Sequence, residues 1–336
     1  MTPSIEAQKL LNGFRVYQMV VAACRLKIPD LVAARPKTAE ELAASTESHG
    51  PSLRRMLRGL TAWRFLEELP DGRFAATPLS DSFRSDKPGL RNLAIMLSEG
   101  GYQAWGELMY TLRTGQPAFD HLYGKGPFEK LAEDPEASSH FNAAMAEIST
   151  RIGGAFVSAY DFGGVRTVVD VGGGNGGLLV AVLQAHPQMR GILFDLAQGL
   201  AGARERLVAA GVADRATLQE GSFFEAVPSG ADLYLLKFII HDWDDEKSYA
   251  ILQTCRRAMN ATARLVILER LLPERIDSAD EALVTLMGDI HMMVMLGGKE
   301  RTANEYRDLV TRAGLRMTRL VPTESEFAAT EAVVAS

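Results

Sequence analysis

The sequence has few cysteines, no long apolar run and no excess of positive charge. Its two cysteines, Cys24 and Cys255, are far apart and lie inside amphipathic helical patterns. They provide neither a disulfide framework nor a cysteine metal site, and they favour a reducing compartment. No apolar run approaches the roughly 18 residues of a membrane span, and the first residues lack the basic and apolar parts of a secretory signal. We therefore expect a cytoplasmic protein without a membrane partner.

The charge balance also limits the range of partners. A net charge of −6 at pH 7 opposes a nucleic-acid partner held by bulk electrostatics. With 47% hydrophobic and 23% charged residues, the composition is that of an ordinary globular protein. A length of 336 residues allows two domains or one large one.

The most informative stretch is Thr167-Val-Val-Asp-Val-Gly-Gly-Gly-Asn-Gly-Gly-Leu178. A β-branched run ends in an acid, glycines follow, and an apolar helical pattern comes next. This order predicts a buried strand, a tight turn and a helix, the first crossover of a parallel α/β sheet. Glycine allows positive φ and a close approach of the backbone to a ligand. The spacing of Gly172, Gly174, Gly176 and Gly177 fits both the dinucleotide fingerprint and the looser pattern of S-adenosylmethionine sites.

Two acids bear on the identity of that ligand. Asp170 lies near the end of the strand, where a carboxylate suits an ammonium or sulfonium cation and repels a pyrophosphate. Asp195 ends the next strand and can accept hydrogen bonds from ribose hydroxyls, which both cofactor classes carry. The residues therefore predict a nucleoside cofactor, and Asp170 favours the sulfonium class.

Strand and helix patterns alternate from residue 165 onward. Strands are predicted at 167–171, 191–196, 216–220, 231–240, 263–270, 315–323 and 327–335. The last two have no helix between them and should pair as an antiparallel hairpin. We predict an α/β fold with a seven-stranded doubly wound sheet, as in class I methyltransferases rather than in six-stranded dehydrogenases.

The N-terminal part predicts a helical and winged-helix domain. Residues 10–34 are apolar at helical spacing on more than one face, which indicates burial within the domain or, as we favour, a contact with another subunit. Residues 38–79 contain a capping box at Thr38, a second helix from Pro51 and a hairpin turn at Gly72. The predicted domains are 1–90 for dimerisation, 91–160 as a helical segment lining a substrate pocket, and 161–336 as a Rossmann-like catalytic domain.

A winged helix can also bind DNA, so a DNA-binding regulator is an alternative. Basic residues on the second helix favour it, whereas acids on the predicted wing would repel phosphates. The basic residues are Arg54, Arg55 and Arg58, and the acids are Glu67, Glu68 and Asp71. We interpret the basic face as solvated and the winged helix as structural.

The second informative stretch is Leu235-Leu-Lys-Phe-Ile-Ile-His-Asp-Trp-Asp-Asp245. Ligands of open parallel sheets bind outside the carboxyl ends of the strands, which places His241 at the mouth of the predicted site. A hydrogen-bonded structural histidine is the alternative. Asp244 or Asp245 is expected to be a helix N-cap rather than a catalyst.

Two acids are candidate partners of this histidine. Glu269 closes an apolar strand, and Glu300 lies in Leu296-Gly-Gly-Lys-Glu-Arg-Thr302. A buried carboxylate beside an imidazole fixes its tautomer and raises its basicity. Each acid could instead form an ordinary ion pair, in the case of Glu300 with Lys299 or Arg301.

These motifs resemble those of the S-adenosylmethionine-dependent O-methyltransferases, typified by plant caffeic acid and flavonoid enzymes and by bacterial enzymes that tailor polyketides and phenazines. The resemblance runs nearly end to end, through Phe141-Asn-x-x-Met145, the Val-Asp-Val-Gly-Gly-Gly run, His241-Asp-Trp and Gly297-Gly-Lys-Glu-Arg-Thr302. The last two motifs together are its most specific part.

The resemblance implies an enzyme of secondary metabolism that methylates a hydroxyl of a small aromatic substrate. It implies S-adenosylmethionine as donor, no metal, and a homodimer joined through the N-terminal domain. It also implies that His241 is the general base, flanked by Glu269 and Glu300. The implied cofactor residues are Asp170, Gly172, Gly173, Gly174, Asp195, Leu196, Ser222, Phe223, Lys237 and Trp243. The expected substrate residues, of which the aromatic and methionine side chains suggest a broad, apolar slot for a planar molecule, are Trp105, Phe141, Asn142, Met145, Asp242, Met292 and Met293.

One departure concerns the adenine side. Plant members usually carry an acid where this chain has Ser222, in Gly221-Ser-Phe-Phe224. A hydroxyl can still bond the adenine without a charge, so altered rather than lost affinity is expected. Some relatives use the bound cofactor for decarboxylation or hydroxylation, and this remains an alternative chemistry.

The proposed base poses an energetic question. A phenol titrates near 10 and an unperturbed histidine near 6.5, so complete proton transfer is uphill by about 5 kcal/mol. We therefore predict that the acids beside His241 raise its pKa.

Overall fold

The structure, a computed structural model, describes residues 3–277 and 279–335, with the side chains of 279–281 left out. It divides into two compact units. The first comprises Met1–Gln103 and Asp134–Glu147, and the second comprises Ala104–Glu133 and Ile148–Ser336. The segment 91–160, predicted as one part, is thus shared between the units, and its role in lining a pocket stays a prediction.

The first unit contains the N-terminal helices and a small hairpin. Its elements, up to the boundary helix α7, are α1 Pro3–Arg25, α2 Ile28–Ala34, α3 Ala39–Ser45, α4 Gly50–Ala62, β1 Leu66–Glu68, β2 Phe74–Ala76, α5 Pro78–Asp81, α6 Arg91–Ser98 and α7 Gly101–Gly106. Helices α3 and α4 and the antiparallel pair β1 and β2 are the elements predicted for the winged helix. The predicted capping box is present, since the Thr38 hydroxyl accepts the Glu41 N–H at 3.1 Å and the Glu41 carboxylate accepts the Thr38 N–H at 2.8 Å.

The apolar pattern over 10–34 corresponds to two helices rather than one. The break lies at Lys27, whose φ of 54° is left-handed and cannot continue a helix. Val21 and Cys24 of the predicted stripe are buried, whereas Leu10 and Phe14 are 84% and 54% exposed. The buried half of α1 packs in its own unit, and the other half presents apolar side chains at the surface.

The second unit is built on the large sheet. The elements after α7 are α8 Leu108–Thr114, α9 Ala118–Tyr123, α10 Pro127–Ala132, α11 Pro135–Ala159, β3 Thr167–Val171, α12 Gly177–Ala185, β4 Arg190–Asp195, α13 Ala203–Ala209, β5 Ala216–Glu220, β6 Leu233–Lys237, α14 Asp245–Ala258, β7 Arg264–Glu269, β8 Leu271–Leu272, α15 Ala279–Met295, β9 Arg301–Thr302, α16 Ala303–Arg312, β10 Leu315–Pro322 and β11 Ala328–Val334.

The strand order of the seven-stranded sheet is β10-β11-β7-β6-β3-β4-β5. Strands β3 to β7 are parallel, and β11 runs antiparallel to both β7 and β10. This confirms the predicted seven strands and the C-terminal hairpin. From β3 the chain continues to β4 on one side, while β6 pairs on the other, so the order of the strands reverses at β3. Sheets of this type bind ligands at that reversal, outside the carboxyl ends of the strands.

One predicted strand is shorter than expected. The pattern predicted 231–240, whereas β6 ends at Lys237. The next residue, Phe238, has a φ of 57°, a conformation that a bulky side chain rarely adopts and that ends the extended backbone. The chain therefore turns out of the sheet just before His241.

In the described part of the chain, no helix is both long and apolar enough to cross a membrane.

Candidate active site

Four neighbouring strands bring charged side chains to one edge of the sheet. Strands β4, β6 and β7 end in Asp195, Lys237 and Glu269, and Asp170 is the penultimate residue of β3. Because the strands are parallel neighbours, these side chains lie at the same carboxyl edge. The sequence predicted this convergence from strand ends alone.

The glycine turn after β3 lies against that edge. Gly172 and Gly174 have φ of 68° and 57°. A Cβ at Gly172 would lie 2.4 Å from Cδ1 of Ile239, and one at Gly173 would lie 2.6 Å from Cγ of Asp170. Larger residues would therefore clash as well as strain the backbone. At Gly174, by contrast, a Cβ would meet no other atom within 4 Å, so this part of the turn is free of neighbouring side chains.

Asp170 is fully buried at this turn. Neither of its carboxylate oxygens accepts a hydrogen bond of ordinary distance and angle from the described residues, although the backbone N–H of Leu179 is near enough to oppose the rise of its pKa. Burial raises the pKa of Asp170 to about 6, and the charge of Lys237 opposes that shift. Burial likewise lowers the pKa of Lys237. A buried carboxylate without partners fits a cationic ligand, which would supply the missing interactions.

Asp195 holds the turn from the neighbouring strand. Its Oδ2 accepts the Gly174 N–H at 2.8 Å and its Oδ1 accepts the Leu196 N–H at 2.7 Å. Burial raises the pKa of Asp195, and these two backbone bonds oppose the shift. The free lone pairs of the same carboxylate can accept the two hydroxyls of a ribose.

An aromatic cluster adjoins the turn. Phe223 lies 3.3 Å from the position of a Cβ on Gly172, and its ring meets Trp243 edge-on at 6.3 Å. Ser222 precedes it, with its hydroxyl accepting the Phe224 N–H at 3.3 Å. The structure thus places Phe223 beside the glycine turn and Trp243 against Phe223, while the role of these residues and of Ser222 at an adenine stays a prediction.

The loop after β6 delivers His241 to the same edge. Its ring is buried and stacks on Phe238 at 5.3 Å. Oε1 of Glu300 lies 2.9 Å from Nδ1, and Oδ1 of Asp242 lies 3.4 Å from Nε2. Burial opposes the charged form, but the charge of Asp242 and the hydrogen bond to Glu300 outweigh it and raise the pKa of His241 to about 9. The predicted rise in the basicity of this histidine therefore follows from the geometry.

The two candidate acids have different partners. Glu300 bonds the imidazole, whereas Oε1 of Glu269 accepts the backbone N–H groups of residues 239, 240 and 241 at 3.0, 2.7 and 3.2 Å. Its other oxygen accepts the hydroxyl of Tyr306. Glu269 therefore fixes the backbone that carries His241, and it acts on the ring through its charge.

The ion pairs considered for Glu300 do not form with its neighbours in sequence. Lys299 lies 3.1 Å from Asp245, and Arg301 lies 2.8 Å from Asp245. Glu300 instead has Arg270 at 3.9 Å in addition to His241. Asp244 is the N-cap of α14, where it accepts the Lys247 N–H.

Sequence reasoning missed Arg301 and Gly298. The buried Arg301 guanidinium donates to the carbonyls of Ile240 and Trp243 at 3.1 and 3.0 Å, on both sides of His241. A Cβ at Gly298 would lie 2.0 Å from the carbonyl oxygen of His241. The Gly-Gly-Lys-Glu-Arg-Thr motif thus holds the histidine loop by close backbone packing and by hydrogen bonds. Its co-occurrence with His-Asp-Trp was the signal that could have indicated this.

The predicted substrate residues fall in both units. Trp105, Met292 and Met293 belong to the second unit, and Asp242 adjoins His241 there. Phe141, Asn142 and Met145 lie on the part of α11 that belongs to the first unit. Trp105 donates its indole N–H to Nδ1 of His291 at 3.0 Å, and sequence reasoning missed this histidine.

The described residues contain no group of three or more His, Cys, Asp or Glu side chains that could hold a metal ion.

Two models of known protein families match the chain. The O-methyltransferase domain model matches residues 105–316, and the O-methyltransferase dimerisation domain model matches residues 8–86. The chain belongs to the O-methyltransferase family. One relative in this family is the phenazine O-methyltransferase of Lysobacter antibioticus, 41% identical over 96% of this chain and 94% of that protein.

Two further family members bear on ligands and chemistry. An O-methyltransferase of neocarzinostatin biosynthesis was solved in complex with S-adenosylmethionine and 2-hydroxy-5-methyl naphthoic acid. It is 32% identical, with a TM-score of 0.83 and 95% of each chain covered. The aclacinomycin 10-hydroxylase of Streptomyces purpurascens is 36% identical over 88% of this chain and 80% of that protein. Family membership therefore includes a protein named for a reaction other than methyl transfer.

Proposed function

We propose that this O-methyltransferase transfers a methyl group from S-adenosylmethionine to a hydroxyl of a small aromatic natural product. The observation that carries the proposal is the buried His241 bonded to Glu300 at the same sheet edge as the unpartnered carboxylate of Asp170. A base and a cation site at one edge are what this reaction requires. The solved neocarzinostatin relative, with S-adenosylmethionine and a naphthoic acid bound, supports both ligand classes.

The cofactor side is assigned to the residues around the glycine turn. When bound, S-adenosylmethionine supplies an electrophilic methyl group on a positively charged sulfur. Asp170 and the backbone of Gly172, Gly173 and Gly174 are assigned to its methionine end. Asp195 and Leu196 are assigned to the ribose. The adenine side is assigned to Ser222, Phe223, Lys237 and Trp243. The unpartnered oxygens of Asp170 and the absence of side chains on the turn support this fit.

The base side is assigned to His241. Nδ1–H donates to Glu300, so Nε2 is the atom that takes the proton of the substrate hydroxyl. With the pKa of His241 at about 9 and a phenol near 10, proton transfer is uphill by about 1 kcal/mol instead of about 5. Glu300 orients the imidazole ring and stabilises its protonated form, and Glu269 fixes the backbone of the loop that carries His241. General-base assistance of this kind typically contributes about 10²- to 10⁴-fold in rate.

Substitution of the base tests the assignment. His241→Ala should bind S-adenosylhomocysteine as the wild type does, by calorimetry, and lose turnover by at least about 10²-fold. His49→Ala, at an exposed histidine of the first unit, is the matched control and should keep turnover. Undiminished methylation by His241→Ala would show that this histidine is not the base. If the wild type did not bind S-adenosylhomocysteine or S-adenosylmethionine, the proposed reaction would be wrong.

A non-methylating reaction is the second candidate, because one relative is a 10-hydroxylase. Mass analysis of products from an aromatic library, with methyl-labelled cofactor, separates the two. Gain of the labelled methyl group supports methyl transfer, whereas loss of carboxyl or gain of oxygen without label supports the alternative.

We infer that the chain forms a homodimer through its N-terminal unit, in keeping with the matched dimerisation domain. Helix α1 exposes four large apolar side chains, Ile5, Leu10, Leu11 and Phe14. Leu10, Leu11 and Phe14 share one side of this helix, and an apolar face of this kind on a surface helix is typical of a protein interface. Leu10→Arg combined with Leu11→Arg should give a monomer by light scattering, and Leu10→Met combined with Leu11→Met, which keeps both side chains apolar, is the control.

The other expectations stay predictions. They are the absence of a metal, the cytoplasmic location, the absence of a nucleic-acid partner and the roles of Phe141, Asn142, Met145, Met292 and Met293 in substrate binding. A gel-shift assay at physiological salt would decide the DNA-binding alternative, since a specific shift at nanomolar protein would support it.

A further inference from the structure

His291 lies on the face of α15 that approaches the catalytic pair. Three residues earlier on that helix, a Cβ at Gly288 would lie 3.6 Å from Oε1 of Glu300, the oxygen that bonds His241. Residues three apart on a helix share a face, so His291 lies on the side directed at the pair. The charge of His241 acts on the titration of His291, which also places the two histidines close together.

The tautomer of His291 is determined by its partner. The Trp105 indole N–H can only donate, and it lies 3.0 Å from Nδ1. The rings are within 15° of parallel with centroids 6.4 Å apart, so they meet edge to edge, as an in-plane hydrogen bond requires. Nδ1 must accept, and a neutral His291 therefore carries its proton on Nε2.

The ring is neutral at ordinary pH. Burial, together with the positive charge of His241, lowers the pKa of His291 to about 4. Among the described residues, no hydrogen bond to Nε2 of His291 is found, and this nitrogen is not one of the buried polar atoms that lack a partner. It is therefore an N–H donor that is accessible and unused within the described chain.

We propose that Nε2–H of His291 donates a hydrogen bond to an uncharged acceptor of the aromatic substrate, a ring nitrogen or carbonyl oxygen next to the reacting hydroxyl. The inference rests on the proposed methyl transfer and specifies the substrate class for it. A neutral donor gives no charge to compensate a substrate carboxylate, so it matches an uncharged acceptor better than a charged one. The structure thus favours acceptors without charge. Trp105 is a positioning residue, because it fixes the tautomer.

A pair of ligands with the same shape tests this donor. 1-Hydroxyphenazine has a ring nitrogen beside the hydroxyl, and 1-hydroxyanthracene has a C–H there. In the presence of S-adenosylhomocysteine, the wild type should bind the phenazine about tenfold more tightly, the size of effect that one satisfied buried hydrogen bond gives. His291→Phe keeps a planar ring without the donor and should abolish the preference. His291→Gln places an amide N–H near the position of Nε2 and should restore part of it.

Turnover is measured separately from binding, so that the two proposals can fail independently. If the wild type binds both ligands and methylates neither, methyl transfer to this class is wrong, and the binding ratios still decide the donor. Equal binding of both ligands by the wild type, or an unchanged preference in His291→Phe, would overturn the donor.

A spectroscopic measurement keeps the inference testable if His291→Phe does not fold. Nitrogen-15 NMR of the wild type between pH 6 and 8 should show His291 protonated on Nε2 alone. Trp105→Phe should convert this signal to a mixture of both tautomers and should reduce the phenazine preference without changing the affinity for S-adenosylhomocysteine. A signal from protonation on Nδ1, or on both nitrogens, in the wild type would overturn the inference.

Discussion

Glu300 lies 2.9 Å from Nδ1 of His241, although the two residues are 59 positions apart in sequence. Both side chains are buried, and the carboxylate raises the pKa of the imidazole through a hydrogen bond and through its charge. Glu269 is equally buried, yet it bonds the backbone of the histidine loop. The two acids therefore have separable effects on activity and on stability.

Glu300→Gln should move the pH profile of kcat/KM to lower pH. In the wild type, the neutral form of His241 accumulates as pH rises through about 9, so activity should rise over that range. Removing the carboxylate charge favours the neutral imidazole, so the ascending limb shifts down while the weaker base lowers the plateau by at least about tenfold. Steady-state kinetics from pH 6 to 10 measures both effects.

The control for this change is Glu324→Gln, which makes the same substitution at an exposed position. It should leave the profile in place. A Glu300→Gln profile that coincides with that of the wild type would show that the carboxylate does not set the basicity of His241.

Glu269→Ala should act mainly on the stability of the fold rather than on cofactor affinity. It leaves three buried backbone N–H groups without their acceptor. Each buried donor that is left unpaired costs about 1–3 kcal/mol, so the free energy of unfolding should fall by about 3 kcal/mol or more. Urea unfolding followed by tryptophan fluorescence measures the change.

Tyr306→Phe is the comparison for that change. It removes only the hydroxyl that donates to the other oxygen of Glu269 and should cost about 1 kcal/mol. If both variants lost the same stability, the backbone bonds would not be the main contribution of Glu269.

Asp170→Asn should stabilise the protein without cofactor and weaken cofactor binding. The pKa of this buried acid is about 6 in the folded state, above its ordinary value of 3.8. Its contribution to the free energy of unfolding is therefore greatest below pH 4. The protein loses up to about 3 kcal/mol of this contribution as pH rises through about 6. The advantage of the variant, measured by denaturant unfolding, should be larger at pH 8 than at pH 5.

Cofactor affinity supplies the second readout for Asp170. Calorimetry with S-adenosylmethionine should show about tenfold weaker binding to Asp170→Asn, because the attraction to the cationic end is lost. Asp214→Asn, at an exposed acid, should change neither quantity. Unweakened binding by Asp170→Asn would contradict the role assigned to this carboxylate.

Ser222→Asp should tighten binding of S-adenosylhomocysteine several-fold. A carboxylate accepts hydrogen bonds more strongly than a hydroxyl, and the position adjoins Phe223 at the proposed adenine site. Ser222→Ala should weaken binding by a smaller factor. Equal affinity of both variants and the wild type, by calorimetry, would place the adenine elsewhere.

The sequence by itself determined the local features of this protein. Strand patterns with Asp195, Lys237 and Glu269 at or near their ends, glycines where φ is positive, and the capping box at Thr38 all arise from short-range physics: side-chain periodicity, backbone sterics and hydrogen bonds between neighbours. These features predicted the seven-stranded sheet and the edge at which the acids meet. The predicted bounds of two elements were wrong, at Lys27 and at Phe238. An apolar run does not indicate where the backbone takes a positive φ, and a positive φ ends the helix or the strand at these residues.

Only the tertiary structure decided which partner each side chain takes. Periodicity could not distinguish Glu269 from Glu300, nor show that Arg301 reaches the carbonyls around His241. The bond between Trp105 and His291 joins residues 186 positions apart. Such pairs depend on how strands and helices pack, and that packing is set by the burial of many apolar side chains together rather than by any short stretch of the chain.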